Sequence, residues 1–150
     1  MKDISLGGIN EKNIKKLKDL SKEEKIKETI QALKNGYELV YGGWLASGNW
    51  RGELDFLEIN KTVKSNFGDW SYEIIDTKNT SKVKKDHIYQ ISLYSYLLKE
   101  AQGILPKNFY ILLKDKKKEI VRIGEVYDIF LEQKLSFENF VKNDLNRKKL

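Results

Sequence analysis

Trp50-Arg51-Gly52-Glu53-Leu54-Asp55-Phe56-Leu57-Glu58-Ile59 and Trp70-Ser71-Tyr72-Glu73-Ile74-Ile75-Asp76-Thr77-Lys78 are the two stretches on which the fold turns. Both are short, rich in aromatic and β-branched residues and bounded by Gly, Ser and Asn, which marks them as strands. Tyr37 to Trp44 reads the same way, and the three predict an antiparallel meander. Residues two apart on a strand share a face, so Asp76 and Lys78 project together while Ile75 points into the opposite layer. Asp55, on the preceding strand, is then expected to face Asp76 across the ladder. Glu53 shares Asp55's face nearer the Gly52 end and is expected in solvent. Gly52 either lets backbone or substrate approach closely or breaks the strand.

Outward from these strands the pattern turns helical. Ser21 and Glu24 have the spacing of a capping box, Ile26, Ile30 and Leu33 mark a buried stripe, and Asn35-Gly36 ends the helix. Ile14, Leu17 and Leu20 suggest a shorter helix upstream. Ser81 to Ala101 predicts a second long helix with Ile88, Ile91, Ser95 and Leu98 along one side, closed by Gln102-Gly103. Phe109 to Leu113 and Ile120 to Ile123 read as two strands joined by a lysine-rich turn. Val126 to Leu145 reads as a last helix with Ile129, Phe130, Phe137 and Phe140 on its buried side. The expected fold is α/β, a mixed central β-sheet flanked by helices in the order α-β-β-β-α-β.

The chain has 150 residues, enough for one compact domain with a core. Residues 1–20 are expected to be an N-terminal extension, 21–145 the core and 146–150 a basic tail. No apolar run reaches the length of a membrane span, and the first ten residues lack the pattern of a secretory signal, so a cytoplasmic protein is expected. There is no cysteine and one histidine, His87, which leaves oxygen ligands for any metal and favours Mg²⁺ or Mn²⁺. A lone histidine is more often a surface residue than a ligand, and His87 is not counted in the metal set. The formal net charge of +6 suits a polyanionic partner without requiring one.

The acids carry the chemistry. Two bare carboxylates about 4 Å apart repel by roughly 4 kcal/mol at an effective dielectric near 20, and a shared divalent cation lets both stay ionised. In that reading Asp76 binds the metal, the Thr77 carbonyl supplies another oxygen, and Lys78 holds the attacking water or offsets charge building on a phosphate. Gln90 and Tyr94, one helical turn apart, lie at the edge of the apolar stripe. They either orient a phosphate or a metal-bound water, or are semi-buried groups bonded to nearby backbone. Lys82, Lys84 and Lys85, between the Asp76 strand and the helix, are expected to contact phosphates. Trp44, Trp50 and Trp70 read as edge or core packing more readily than as platforms for unpaired bases.

Together, Gly52-Glu53-Leu54-Asp55, Asp76-Thr77-Lys78 and Gln90 with Tyr94 resemble the RecB-like branch of the PD-(D/E)XK nuclease superfamily. The resemblance runs from about Thr29 to Leu113 and takes in Gly68 to Glu73 and Gln102-Gly103. It implies a restriction-endonuclease-like core and metal-dependent hydrolysis of DNA by a metal-activated water. Carried over by position, Asp55 and Asp76 are metal ligands, Lys78 is the catalytic lysine, and Gln90 and Tyr94 form the third motif. Members of the family commonly take a further His or Glu ligand from an upstream helix and work beside helicase or other domains. This chain has no histidine before His87, and Glu23 is the available substitute. A module that binds nucleic acid or docks a helicase without catalysis is the alternative.

Overall fold

The computed structural model describes residues 13–17 and 19–148. These build one mixed sheet in the order β1 (Ile14–Lys16), β2 (Leu39–Ser47), β3 (Trp50–Asn60), β4 (Ser71–Thr77), β5 (Asn108–Leu112) and β6 (Lys118–Arg122). The helices are α1 (Lys22–Lys34), α2 (Lys85–Gln102) and α3 (Tyr127–Lys148). β2, β3 and β4 form the expected antiparallel meander. β5 lies parallel to β4 across the α2 connection, and β6 returns antiparallel beside it. The protein is therefore α/β, as its pattern predicts.

The upstream helix does not form. Ile14 to Lys16 instead pair in parallel with Leu39 to Tyr41, and the Glu38 N–H donates to the Asn13 carbonyl at 2.9 Å. Leu17 is buried in the core beside them, so part of the expected extension belongs to the sheet. The reason is long-range: three residues of strand leave no period to read, and their partner lies more than twenty residues away. The rest of the expected extension, residues 1–12, and Lys18 lie outside the described residues, as do Lys149 and Leu150 of the expected tail. Asn146 to Lys148 continue α3.

α1 starts as its sequence dictates, with Ser21 Oγ accepting from the Glu24 N–H at 3.2 Å. Its buried residues are Thr29, Ala32 and Leu33, with Ile26 and Ile30 only half-buried. Thr29 takes the central place because Gly43 of β2 lies beneath it and its Oγ1 accepts the Trp44 N–H at 2.9 Å. At the far end of α2, buried Gln102 accepts the Tyr72 N–H at 2.9 Å and donates to the Ile104 carbonyl at 3.0 Å. Those bonds tie the end of α2 to the start of β4. The two elements run back to back, so the N-terminal half of α2 comes to lie at the C-terminal end of β4.

α3 departs from its expected packing. Phe130 is buried, but Ile129, Phe137 and Phe140 are more than half exposed. Tyr127 and Phe130 anchor its first turns among Tyr89 and Tyr96 of α2. Beyond them α3 touches the β2–β3 hairpin through Trp50, whose Nε1–H donates to Glu138 at 2.9 Å. An open cleft of about 610 Å³ lies between that hairpin tip and α3.

β3, the strand that carries Asp55, breaks its alternation. Leu54 and Leu57 belong to the main core with Val40 and Leu45, while Phe56, Leu39 and Ile75 form a smaller cluster on the other side. A spacing of three between residues on one face means the alternation is interrupted. The interruption falls where Gly42, at φ +72°, lies opposite Asp55 and the pairing skips a step. Glu53 and Asp55 therefore do not share a face. Glu53 is exposed, whereas Asp55 is half-buried and near enough to Asp76 and to Tyr94 of α2 for its charge to act on both.

Candidate metal centre

β3 and β4 part company at the acids. Their ladder runs from Asn60↔Ser71 to Phe56↔Ile75, although β4 continues to Thr77. Asp55 closes the gap with its side chain: Oδ2 accepts both the Thr77 N–H and the Thr77 hydroxyl, each at 2.8 Å. The Thr77 hydroxyl is a part of the site that sequence reasoning missed, since only its carbonyl was considered. The signal available was a β-branched hydroxyl between the acid and the lysine.

Asp76 follows Ile75 on β4 and faces α2 from a position only 4 % exposed. Burial, and after it the neighbouring Asp55 charge, push its carboxyl up to about 6, with Lys78 opposing the shift. Lys78 Nζ lies 3.0 Å from Asp76 Oδ2 as an ion pair. That oxygen nonetheless makes no aligned hydrogen bond. The shortest contact of Nζ is instead to Gln90 Oε1 at 2.6 Å, and Gln90 Nε2 donates to the Tyr94 hydroxyl at 3.0 Å. A lysine ammonium can only donate, so the amide must turn its oxygen to Lys78 and its nitrogen to Tyr94. Burial first, then the charges of Asp76 and Asp55, raise the Tyr94 hydroxyl above its ordinary value. Asp55, Asp76, Thr77, Lys78, Gln90 and Tyr94 thus come together in one site.

The other candidate residues stand apart. Glu23 is exposed in the first turn of α1, with its carboxylate 3.7 Å from Arg51, four residues along β3 from Asp55. It does not join the acidic pair. Lys82 and Lys84 are exposed on the connection into α2. Lys85 lines a groove of about 340 Å³ between α2 and α3 with Ile88, Tyr89 and Phe130, on a different side of α2 from Gln90 and Tyr94. His87 is buried, contrary to expectation: its Nδ1 accepts the Lys84 N–H at 3.1 Å and closes the start of α2. Trp70 covers Gly36 and Gly68 and donates to the Leu33 carbonyl at 2.9 Å, which makes it packing.

Among the described residues no three His, Asp or Glu side chains gather as a closed metal site would need. Two carboxylates and a carbonyl still suit a hard cation that keeps several of its waters, as Mg²⁺ does. The buried Asp76 carboxylate fits that role: Lys78 contacts one side of Oδ2 at 3.0 Å, and a carboxylate has further lone pairs for a cation. Among the described residues, no helix is long and apolar enough to cross a membrane. Compared with known proteins, the sequence matches no family model and none of the curated proteins.

Proposed function

We propose that this protein is a divalent-cation-dependent nuclease with a restriction-endonuclease-like core that hydrolyses phosphodiester bonds in DNA. One observation carries the reading: a buried Asp76 carboxylate, close to a second carboxylate and in ion-pair contact with a lysine. Asp55, Asp76 and the Thr77 carbonyl would hold Mg²⁺ or Mn²⁺. When bound, the ion supplies a more acidic water and positive charge for the phosphoryl oxygens. At neutral pH a carboxyl titrating near 6 is mostly ionised and ready for a cation. Lys78 is held between Asp76 and Gln90, and its ammonium would offset charge building on the scissile phosphate. Lys82 and Lys84 offer exposed charges to the flanking backbone.

The engagement of Glu23 with Arg51 favours a second reading, a nuclease-fold module that binds nucleic acid or docks a helicase without cutting. Calorimetric titration with Mn²⁺, beside an assay on single-stranded, duplex and branched DNA, separates the two. The nuclease should bind the ion and cut, and Asp76→Ala should lose both. Lys78→Ala should lower the rate by about a hundredfold or more while leaving ion binding in place. A wild-type protein that takes up no Mn²⁺ and cuts nothing fits the docking module.

A further inference from the structure

The two hydrogen bonds from Thr77 to Asp55 end on the same atom. The Thr77 N–H and the Thr77 hydroxyl both reach Oδ2, each at 2.8 Å, and a carboxylate oxygen has two lone pairs to give. Oδ2 is therefore filled from within the protein, and the carboxylate cannot turn about its last bond without losing both donors. What Asp55 has left for a cation is Oδ1. Asp55 is close enough to Asp76 to raise it by charge and by a hydrogen bond, so the two carboxylates border the space in which a cation would sit. Asp76 is less restricted, because Lys78 contacts one side of its Oδ2, at 3.0 Å.

We propose that the Thr77 hydroxyl sets which divalent ion the site prefers, by limiting Asp55 to a single ligand oxygen. This rests on the reading of Asp55 and Asp76 as cation ligands. Mg²⁺ is small, octahedral and reluctant to shed its waters, so one oxygen from each of two carboxylates serves it well. Ca²⁺ takes about six to eight oxygens and often draws two of them from one carboxylate. With Oδ2 occupied, Asp55 cannot supply that second oxygen, and the site favours Mg²⁺ and Mn²⁺ over the larger ion. The Thr77 N–H belongs to the backbone and stays whatever the side chain is. The hydroxyl is the donor that the sequence chose, and without it one lone pair of Oδ2 is released and Asp55 can offer both oxygens to the same ion.

Thr77→Val keeps the branched shape and removes the hydroxyl, and Thr77→Ser keeps the hydroxyl. Calorimetric titration of the whole protein with Mn²⁺ and, separately, with Ca²⁺ gives the ratio of the two affinities. In Thr77→Val that ratio should move toward Ca²⁺ by about tenfold, the low end of what the partners of metal ligands contribute, and Thr77→Ser should bring it back. A ratio that Thr77→Val leaves unchanged overturns the proposal even where both affinities fall, because an equal loss means that the hydroxyl only holds Asp55 in place. In the metal-free protein the Asp55 carboxyl carbon resonance should move in Thr77→Val and stay close to wild type in Thr77→Ser. A resonance unmoved in Thr77→Val means that the hydroxyl does not occupy Oδ2, and also overturns it. Should Thr77→Val fail to fold, Thr77→Ala carries the same two readouts. Wild-type protein that binds neither ion sinks the nuclease reading and this proposal with it, whereas ion binding whose selectivity ignores the hydroxyl sinks this proposal alone.

Discussion

At the scale of single residues the site is governed by one buried carboxyl. Asp76 is raised from 3.8 to about 6, first by burial and then by Asp55. The folded chain therefore keeps this proton at pH values where the unfolded chain has lost it, and between those two values stability falls as pH rises. With a chelator present, wild type should lose melting temperature across that window relative to Asp76→Asn, which has no proton to lose there. Mn²⁺ competes with the same proton, so its affinity should climb as pH rises through about 6. An affinity that stays flat from about pH 5 to about pH 8 would take Asp76 out of the ligand set. That Asp76 lies beside Lys78 and Gln90 beside Tyr94 was legible in the sequence, because period-two and period-four spacing put each pair on one face, whereas Asp55 sits where the period of two is interrupted. The Thr77 hydroxyl on Asp55 and the room that Gly52 keeps for the Tyr94 ring were not legible. Both depend on how far two strands separate and how close a helix comes, which spacing does not encode.

Elements were readable where a period was long enough to see. The meander, both ends of α1 and the Gly103 stop of α2, at φ +82°, follow from local signals. The parallel strand Ile14–Lys16 did not, since its three residues acquire their conformation from Leu39 to Tyr41. α3 shows a different limit: its amphipathic pattern reveals that one side is apolar, not how much of that side meets the body. Its first turns supply the buried ring contacts with α2, Lys134 still lies over the Tyr96 ring, and farther along α3 meets only Trp50 of the hairpin through Phe137 and Glu138 among the contacts described. Phe130→Ala should accordingly destabilise the protein by about 3–5 kcal/mol, the usual cost of removing a buried ring. Phe137→Ala, at a position 54 % exposed, should cost about 1 kcal/mol or less. Equal losses in denaturant titrations of the two variants would contradict the docking of α3 by its first turns. A second contrast lies on the opposite side of the sheet, where Glu58 pairs directly with Glu73. Burial raises the Glu73 carboxyl against a Tyr110 hydrogen bond, with the Glu58 charge adding to the rise, so Glu73 too weakens the fold as pH rises through the carboxylate range. Glu73→Gln should raise the melting temperature at neutral pH and leave it unchanged in acid.

For the whole molecule, charge and topology act together. The net charge of +6 suits a polyanion without selecting one, while the β4–α2 connection carries Lys82 and Lys84 just beyond the end of β4 that bears the acids. Replacing both by Gln should weaken DNA binding and reduce the steepness of its salt dependence by about one for each phosphate no longer neutralised. Lys85→Gln, on the α2–α3 groove, should change that slope little. A slope unchanged by the first pair would return the connection to plain solvated loop. The parting of β3 from β4 has one further result. Where a peptide rung would continue the ladder, the protein has substituted the carboxylate of Asp55, so a single side chain is at once a beam of the frame and a member of the proposed metal site. Removing it deletes two hydrogen bonds to Thr77, each worth about 1.5–3 kcal/mol where the acceptor is charged. Loss of activity in Asp55→Ala would then mix architecture with chemistry, whereas Asp55→Asn, whose amide oxygen can still accept from Thr77, changes the charge and spares the scaffold.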